Sequence, residues 1–118
     1  MISVVVSGVL REVTLDILPG AGQITLCMSG HSGFDSKGSD IVCAGVSTLV
    51  QTAAKFLSVR KIRFEMGRRE GFLDLRVSLD GLSEEKIICV VHAFDMALGG
   101  IEMIAGSYPD NVEIRIVK

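Results

Sequence analysis

The chain has two histidines and three cysteines among 118 residues, and one of each falls in the stretch GHSGFDSKGSDIVC at positions 30–43. His31 stands at the end of a run that alternates apolar and polar residues, and Cys43 lies near the start of a long apolar run. A cysteine nucleophile acts as its thiolate, and at an ordinary pKa of ~8.5 only a few per cent of the thiol is ionised at neutral pH. A helix N-terminus contributes roughly 0.3–1 kcal/mol in favour of a nearby anion, which at ~1.36 kcal/mol per unit lowers that pKa by about one unit at most. An imidazole has to supply the rest, either as the cation of an ion pair with sulfur or as a general base. His31 is the imidazole this segment offers. The free N–H groups of a helix start would then receive an oxyanion beside the sulfur.

The neighbouring residues suit such a site without requiring it. Gly30, Gly33 and Gly38 punctuate the segment between the two residues and allow a loop that moves or wraps a ligand. Asp40, or Ser39 before it, is placed to cap the helix that follows, and Asp40 could also orient His31. Ser47 lies one helical turn beyond Cys43, so its hydroxyl and the thiol share one side of the helix and Ser47 could bind substrate. The plainer reading is that IVCAGV is ordinary core, since cysteine is among the most buried residue types. Cys27 sits inside a strand pattern and reads as packing. Cys89 and His92 are three apart in a second helix and could supply two zinc ligands, but the further ligands such a site needs have no second Cys/His pair to provide them. Accordingly no metal and no cofactor is expected. No phosphate-binding glycine loop of the familiar spacings is present either.

The elements that would position these groups follow from periodicity. Residues 2–7 and 11–18 are rich in β-branched side chains and read as strands, 19–22 as a turn, and 23–29 as a third strand. A long helix is expected from Ile41 to about Leu57, apolar nearly all round and hence buried on most sides, in its own domain or against a second subunit. Residues 61–66 and 72–79 read as a hairpin joined through 67–71. Ser83, followed by Glu84 and Glu85, opens a second helix to about Gly106, which 108–111 ends before a last strand at 112–117. The order β-β-β-α-β-β-α-β predicts an α+β fold: a mostly antiparallel sheet with two long helices packed on it, in one domain over residues 1–118.

Composition narrows the class. Apolar residues make up 48% of the chain and charged residues 22%, with a formal net charge of −2. That is a globular balance with no cationic footprint, so direct nucleic-acid binding is not expected. Lys and Arg do bunch between residues 55 and 69, but the run is short and interleaved with apolar residues. No basic stretch precedes the first apolar run, and no unbroken apolar run reaches the ~20 residues of a membrane span. An odd cysteine count at irregular spacing suits reduced thiols. The expectation is a cytoplasmic protein with no membrane partner.

The run SGHSGFDSKGSDIVCAGVSTLVQT at 29–52 resembles the bacterial ribosomal-processing cysteine protease family, Prp. Members carry G-H-(A/S)-G, a variable loop with glycine, and then G-x-D-I-V-C-A-x-V-S opening a helix; here these are Gly30-His31-Ser32-Gly33 and Gly38 to Ser47. The resemblance implies a cysteine endopeptidase with Cys43 as nucleophile and His31 as general base. It implies a substrate as well, the N-terminal extension of a large-subunit ribosomal protein, removed during ribosome maturation. It further implies a homodimer and a mobile loop that orders around the substrate peptide. The first strand looks like an addition ahead of the usual family start, near Arg11, and Cys89 and His92 belong to no family motif. The alternative is a non-catalytic ribosome-assembly module that keeps the loop as a peptide groove.

Overall fold

Three short runs in this chain place an aliphatic residue at every second position, and these become the middle of a sheet. The structure, a computed structural model, describes residues 1–8, 22–30 and 40–117. Strand β1 (Ile2–Ser7) buries Ile2, Val4 and Val6, β2 (Gln23–Gly30) buries Ile24, Leu26 and Met28, and β4 (Phe72–Ser78) buries Leu73, Leu75 and Val77. With period-two alternation those side chains share one face. Edge strands β3 (Glu65–Arg69) and β5 (Val112–Val117) complete five described strands in the order β3-β4-β2-β1-β5. All neighbours are antiparallel except β1 and β5. The expected α+β architecture, a mostly antiparallel sheet carrying two helices, is the one found.

Helices α1 (Ile41–Val59) and α2 (Glu84–Ser107) cover the aliphatic face. Val42, Val46, Val50 and Leu57 of α1 and Ile87, Val90, Phe94, Leu98 and Ile101 of α2 are buried against it. The helices approach closely where glycine replaces a side chain. A β-carbon at Gly100 would stand 2.7 Å from a terminal carbon of Leu49, and one at Gly45 3.1 Å from Ile104. Each helix is long and apolar enough to cross a membrane, with mean hydropathy 1.4 and 1.8, which departs from the expectation drawn from unbroken apolar runs. Part of that hydrophobicity is spent on the sheet and on the partner helix, through the buried residues of α1 and α2.

Other boundaries moved for identifiable reasons. Residues 61–64 are not strand: Lys61 adopts a left-handed φ of 58°, and the Ile62 N–H bonds the Leu57 carbonyl, extending the helix end. Ile62 then enters the core, and pairing starts only at Glu65. The strand runs on through Arg69, which pairs with Phe72, so the connection is the two residues Glu70 and Gly71 rather than five. Gly71, at φ +69°, permits so tight a turn. Charged Glu65, Arg68 and Arg69 are tolerated because β3 is an edge. Ile2–Ser7, which lies ahead of the expected family start, is an interior strand bonded on both sides. The strand expected at 11–18 and most of the turn after it lie outside the described residues, as do His31, Gly33 and Gly38.

Candidate active site

Asp40 opens α1 with an extended backbone, and its Oδ1 accepts hydrogen bonds from the Val42 and Cys43 N–H groups, both at 3.0 Å. Its carbonyl accepts from the Ala44 N–H at 3.1 Å. The residue is 6% exposed, so this is a buried, charge-assisted N-cap. The cap corrects one expectation. The Val42 and Cys43 N–H groups that a bare helix start would offer to an oxyanion are already occupied by a carboxylate.

Cys43 follows in the first turn, half-buried and reduced. Burial pushes its thiol above the ordinary value, and the Asp40 carboxylate pushes it the same way. Among the described residues its surroundings therefore favour the neutral thiol, opposite to the lowering expected of a helix start. The dipole acts on Cys43 only after the N-cap carboxylate has offset the positive end.

The thiol faces a cleft of about 530 Å³. Cys43 and Ser47 line it from α1, Met28 from β2, Arg68, Arg69, Glu70 and Gly71 from the tip of the β3–β4 hairpin, and Phe72 and Leu73 from β4. Strand pairing brings these together: Ser29 pairs with Phe72, and the Gly30 N–H bonds the Gly71 carbonyl at 2.8 Å. Gly30 has a structural requirement for glycine, with φ +93° and a would-be β-carbon 2.5 Å from the Met1 carbonyl oxygen. The chain therefore leaves for His31 beside the hairpin tip that borders the cleft and returns at the cap of the helix bearing Cys43. Met28, Phe72 and Leu73 give the cleft apolar surface, and the two arginines give it a cationic rim. Arg69 stacks over Phe72 at 4.1 Å.

Ser47 shares this cleft with Cys43, as helical spacing required. Its Oγ accepts from Gln51 Nε2 at 2.8 Å, and Gln51 Oε1 accepts from Arg68 Nη1 at 3.3 Å. Gln51 and the hairpin residues were missed in the sequence. The hairpin carries no local signal, because it meets Cys43 only through the sheet. Gln51 did leave a trace: 43, 47 and 51 are polar or reactive positions four apart along an apolar helix.

The other cysteines lie elsewhere. Cys27 is on the sheet face away from the helices, paired opposite Asp74, where burial and that carboxylate push its thiol up while Arg69 opposes them. It packs on that face rather than in the core. Cys89 is half-buried against the core while His92 is exposed, and no group of three metal-ligating side chains occurs among the described residues.

The family model described as Cysteine protease Prp matches residues 12–113. The chain belongs to the cysteine protease Prp family. It is a cysteine protease by that membership, which favours catalysis over a purely peptide-binding role. No curated protein sequence matches the chain. Among solved structures, the S. aureus essential ribosomal processing protease Prp with a covalently linked product peptide superposes with a TM-score of 0.73 at 22% identity, covering 99% of this chain and 100% of that one. The same S. aureus protease with a substrate peptide gives a TM-score of 0.70 at 19% identity, with the same coverage. SMU.848 from Streptococcus mutans gives 0.65 at 25% identity, covering 99% of this chain and 94% of that one. The Prp fold thus includes β1, ahead of the region the family model matches.

Proposed function

We propose that this Prp-family protease removes the N-terminal extension of a large-subunit ribosomal protein, with Cys43 as nucleophile and His31 as general base. The observation that carries the reading is the cleft itself, which presents the Cys43 thiol between a helix start and a hairpin tip, over an apolar floor. Such a floor suits an apolar segment of an extended peptide. The S. aureus relative, named as a ribosomal processing protease, supports the substrate class. Burial and Asp40 both push the Cys43 thiol upward, and His31 is the base that takes its proton when substrate arrives.

His31 takes the Sγ proton as sulfur attacks the scissile carbonyl carbon, and the carbonyl electron pair moves onto oxygen. Collapse of this tetrahedral species forms a thioester at Cys43 and expels the amine, which takes its proton from His31. Water, deprotonated by His31, then cleaves the thioester and restores the thiol. Gly30 holds the strand end before His31, and Gly33 and Gly38 support substrate binding. Asp40 anchors the start of α1. The protein acts in the cytoplasm as a homodimer; α2 exposes Met96 at 79% and Met103 at 76%, which supports a covered helical face.

Mass spectrometry of the extended ribosomal protein after incubation tests the reading. The native chain shortens it by one defined N-terminal segment, and Cys43→Ala leaves it intact while keeping the native melting curve. Cleavage by Cys43→Ala would remove Cys43 from the mechanism, and an unshortened protein with the native chain would leave only peptide binding.

A further inference from the structure

The three-member chain Arg68–Gln51–Ser47 has a direction. A guanidinium only donates hydrogen bonds, so the group of Gln51 that faces Arg68 is its amide oxygen. The other end of the same amide is then the NH2, which donates to Ser47 Oγ. A serine hydroxyl has one proton, and with a lone pair engaged by Gln51 that proton is left for an acceptor other than Gln51, on a residue that lines the cleft with Cys43. Thr52, on the same helix, behaves differently: its hydroxyl donates to the Thr48 carbonyl at 2.6 Å and is spent within the helix. The fixed direction matters because the Val42 and Cys43 N–H groups are held by Asp40. A cleft that builds negative charge on oxygen has need of another donor, and one turn along from the sulfur Ser47 supplies it.

We propose that Arg68 and Gln51 are positioning residues that hold the Ser47 hydroxyl as a hydrogen-bond donor to the oxyanion formed in the Cys43 cleft. This rests on Cys43 being the nucleophile. Arg68 also lines the cleft, but the role assigned here to it and to Gln51 is exerted through the proton of Ser47. Their contribution belongs to the transition state, where charge develops on oxygen, and so to kcat more than to KM.

Two substitutions at one position separate polarity from packing. Gln51→Glu keeps the shape of the side chain and its contact with Arg68, but a carboxylate cannot donate, so the Ser47 hydroxyl turns its proton toward Glu and away from the cleft. Gln51→Met removes both hydrogen bonds and leaves the hydroxyl free to rotate. On a peptide spanning the extension junction, kcat falls by about 100-fold in Gln51→Glu, comparable to removal of one oxyanion donor, with KM nearly unchanged. Gln51→Met falls by a smaller factor. Thermal stability runs the other way, with Gln51→Met the less stable of the two.

In the Ser47→Ala background, Gln51→Glu has no further effect on kcat, whereas a simple charge effect of the new carboxylate would persist there. Gln51→Glu as active as the native chain, Gln51→Met the more damaging to kcat, or additive losses with Ser47→Ala would each overturn the proposal. Cleavage by Cys43→Ala would instead overturn the nucleophile assignment beneath it. A substrate-free check is the NMR shift of the Gln51 side-chain amide protons, which moves on Ser47→Ala if the amide donates to Ser47. No movement would refute the direction of the chain.

Discussion

Asp40 is asked to do two things that pull apart, and a pair of substitutions separates them. It caps α1 through two buried hydrogen bonds of 3.0 Å, and its carboxylate helps keep the Cys43 thiol neutral. Loss of an N-cap costs about 0.5–2 kcal/mol, and a buried, ionised cap with two bonds belongs near about 2. Unfolding entropy near ~2.1 cal/mol/K per residue over 118 residues is about 250 cal/mol/K, so Asp40→Ala lowers the melting temperature by about 8 °C. Asparagine caps as well as aspartate, so Asp40→Asn melts within about 2 °C of the native chain. Reactivity moves in the opposite sense to stability. A carboxylate near a thiol favours the protonated form, so the neutral amide of Asp40→Asn raises the thiolate fraction at pH 7 and speeds alkylation of Cys43. Differential scanning calorimetry reads the first effect, and mass spectrometry of iodoacetamide-treated protein, resolved by peptide, reads the second. Asp40→Ala melting with the native protein would refute the capping account. Slower alkylation in Asp40→Asn would refute the electrostatic one.

Two further outcomes are expected. Gly30→Ala forces a left-handed backbone on alanine and sets its β-carbon against the Met1 carbonyl, destabilising the fold by about 1–2 kcal/mol, measured by urea unfolding; an unchanged midpoint would sink that reasoning. Burial raises the Cys43 and Cys27 thiols in the folded chain, so on raising pH the unfolded chain ionises first. Their stabilising contribution is complete below the ordinary thiol value near ~8.5 and is lost as pH climbs from there toward the folded value. The Cys27→Ala/Cys43→Ala double variant therefore shows a smaller drop in melting temperature between pH 8 and pH 10 than the native chain, and an equal drop would contradict the assignment.

Local chemistry was enough for much of this molecule. The aliphatic alternation of Ile2–Ser7 and Gln23–Gly30, the caps at Asp40 and Ser83, and the apolar periodicity of α1 and α2 are short-range signals, legible wherever a few adjacent residues set backbone angles or one buried face. Cys43 at a helix start, with Ser47 one turn on, belongs to the same class of inference. The strand at Glu65–Arg69 was misplaced because local propensity favours Ile62 and Phe64 over the charged residues that pair, and an edge position tolerates charge. That Ile2–Ser7 lies between two neighbours was not legible, because nothing within a strand says whether it has one or two.

The site shows the same division. Sequence spacing determined which residues could be a nucleophile, a cap and a neighbouring hydroxyl, because helix geometry relates positions three and four apart. It could not bring the β3–β4 hairpin tip to Cys43, since that contact passes through the pairing of β2 with β4 and joins residues far apart in the chain. Nor could it give the sign of the perturbation on the thiol, which depends on how deeply α1 is buried and on a carboxylate turned back over its own helix start. Which residues could react was legible in the chain; the walls of the cleft beside Cys43 and the upward push on its thiol were decided by packing.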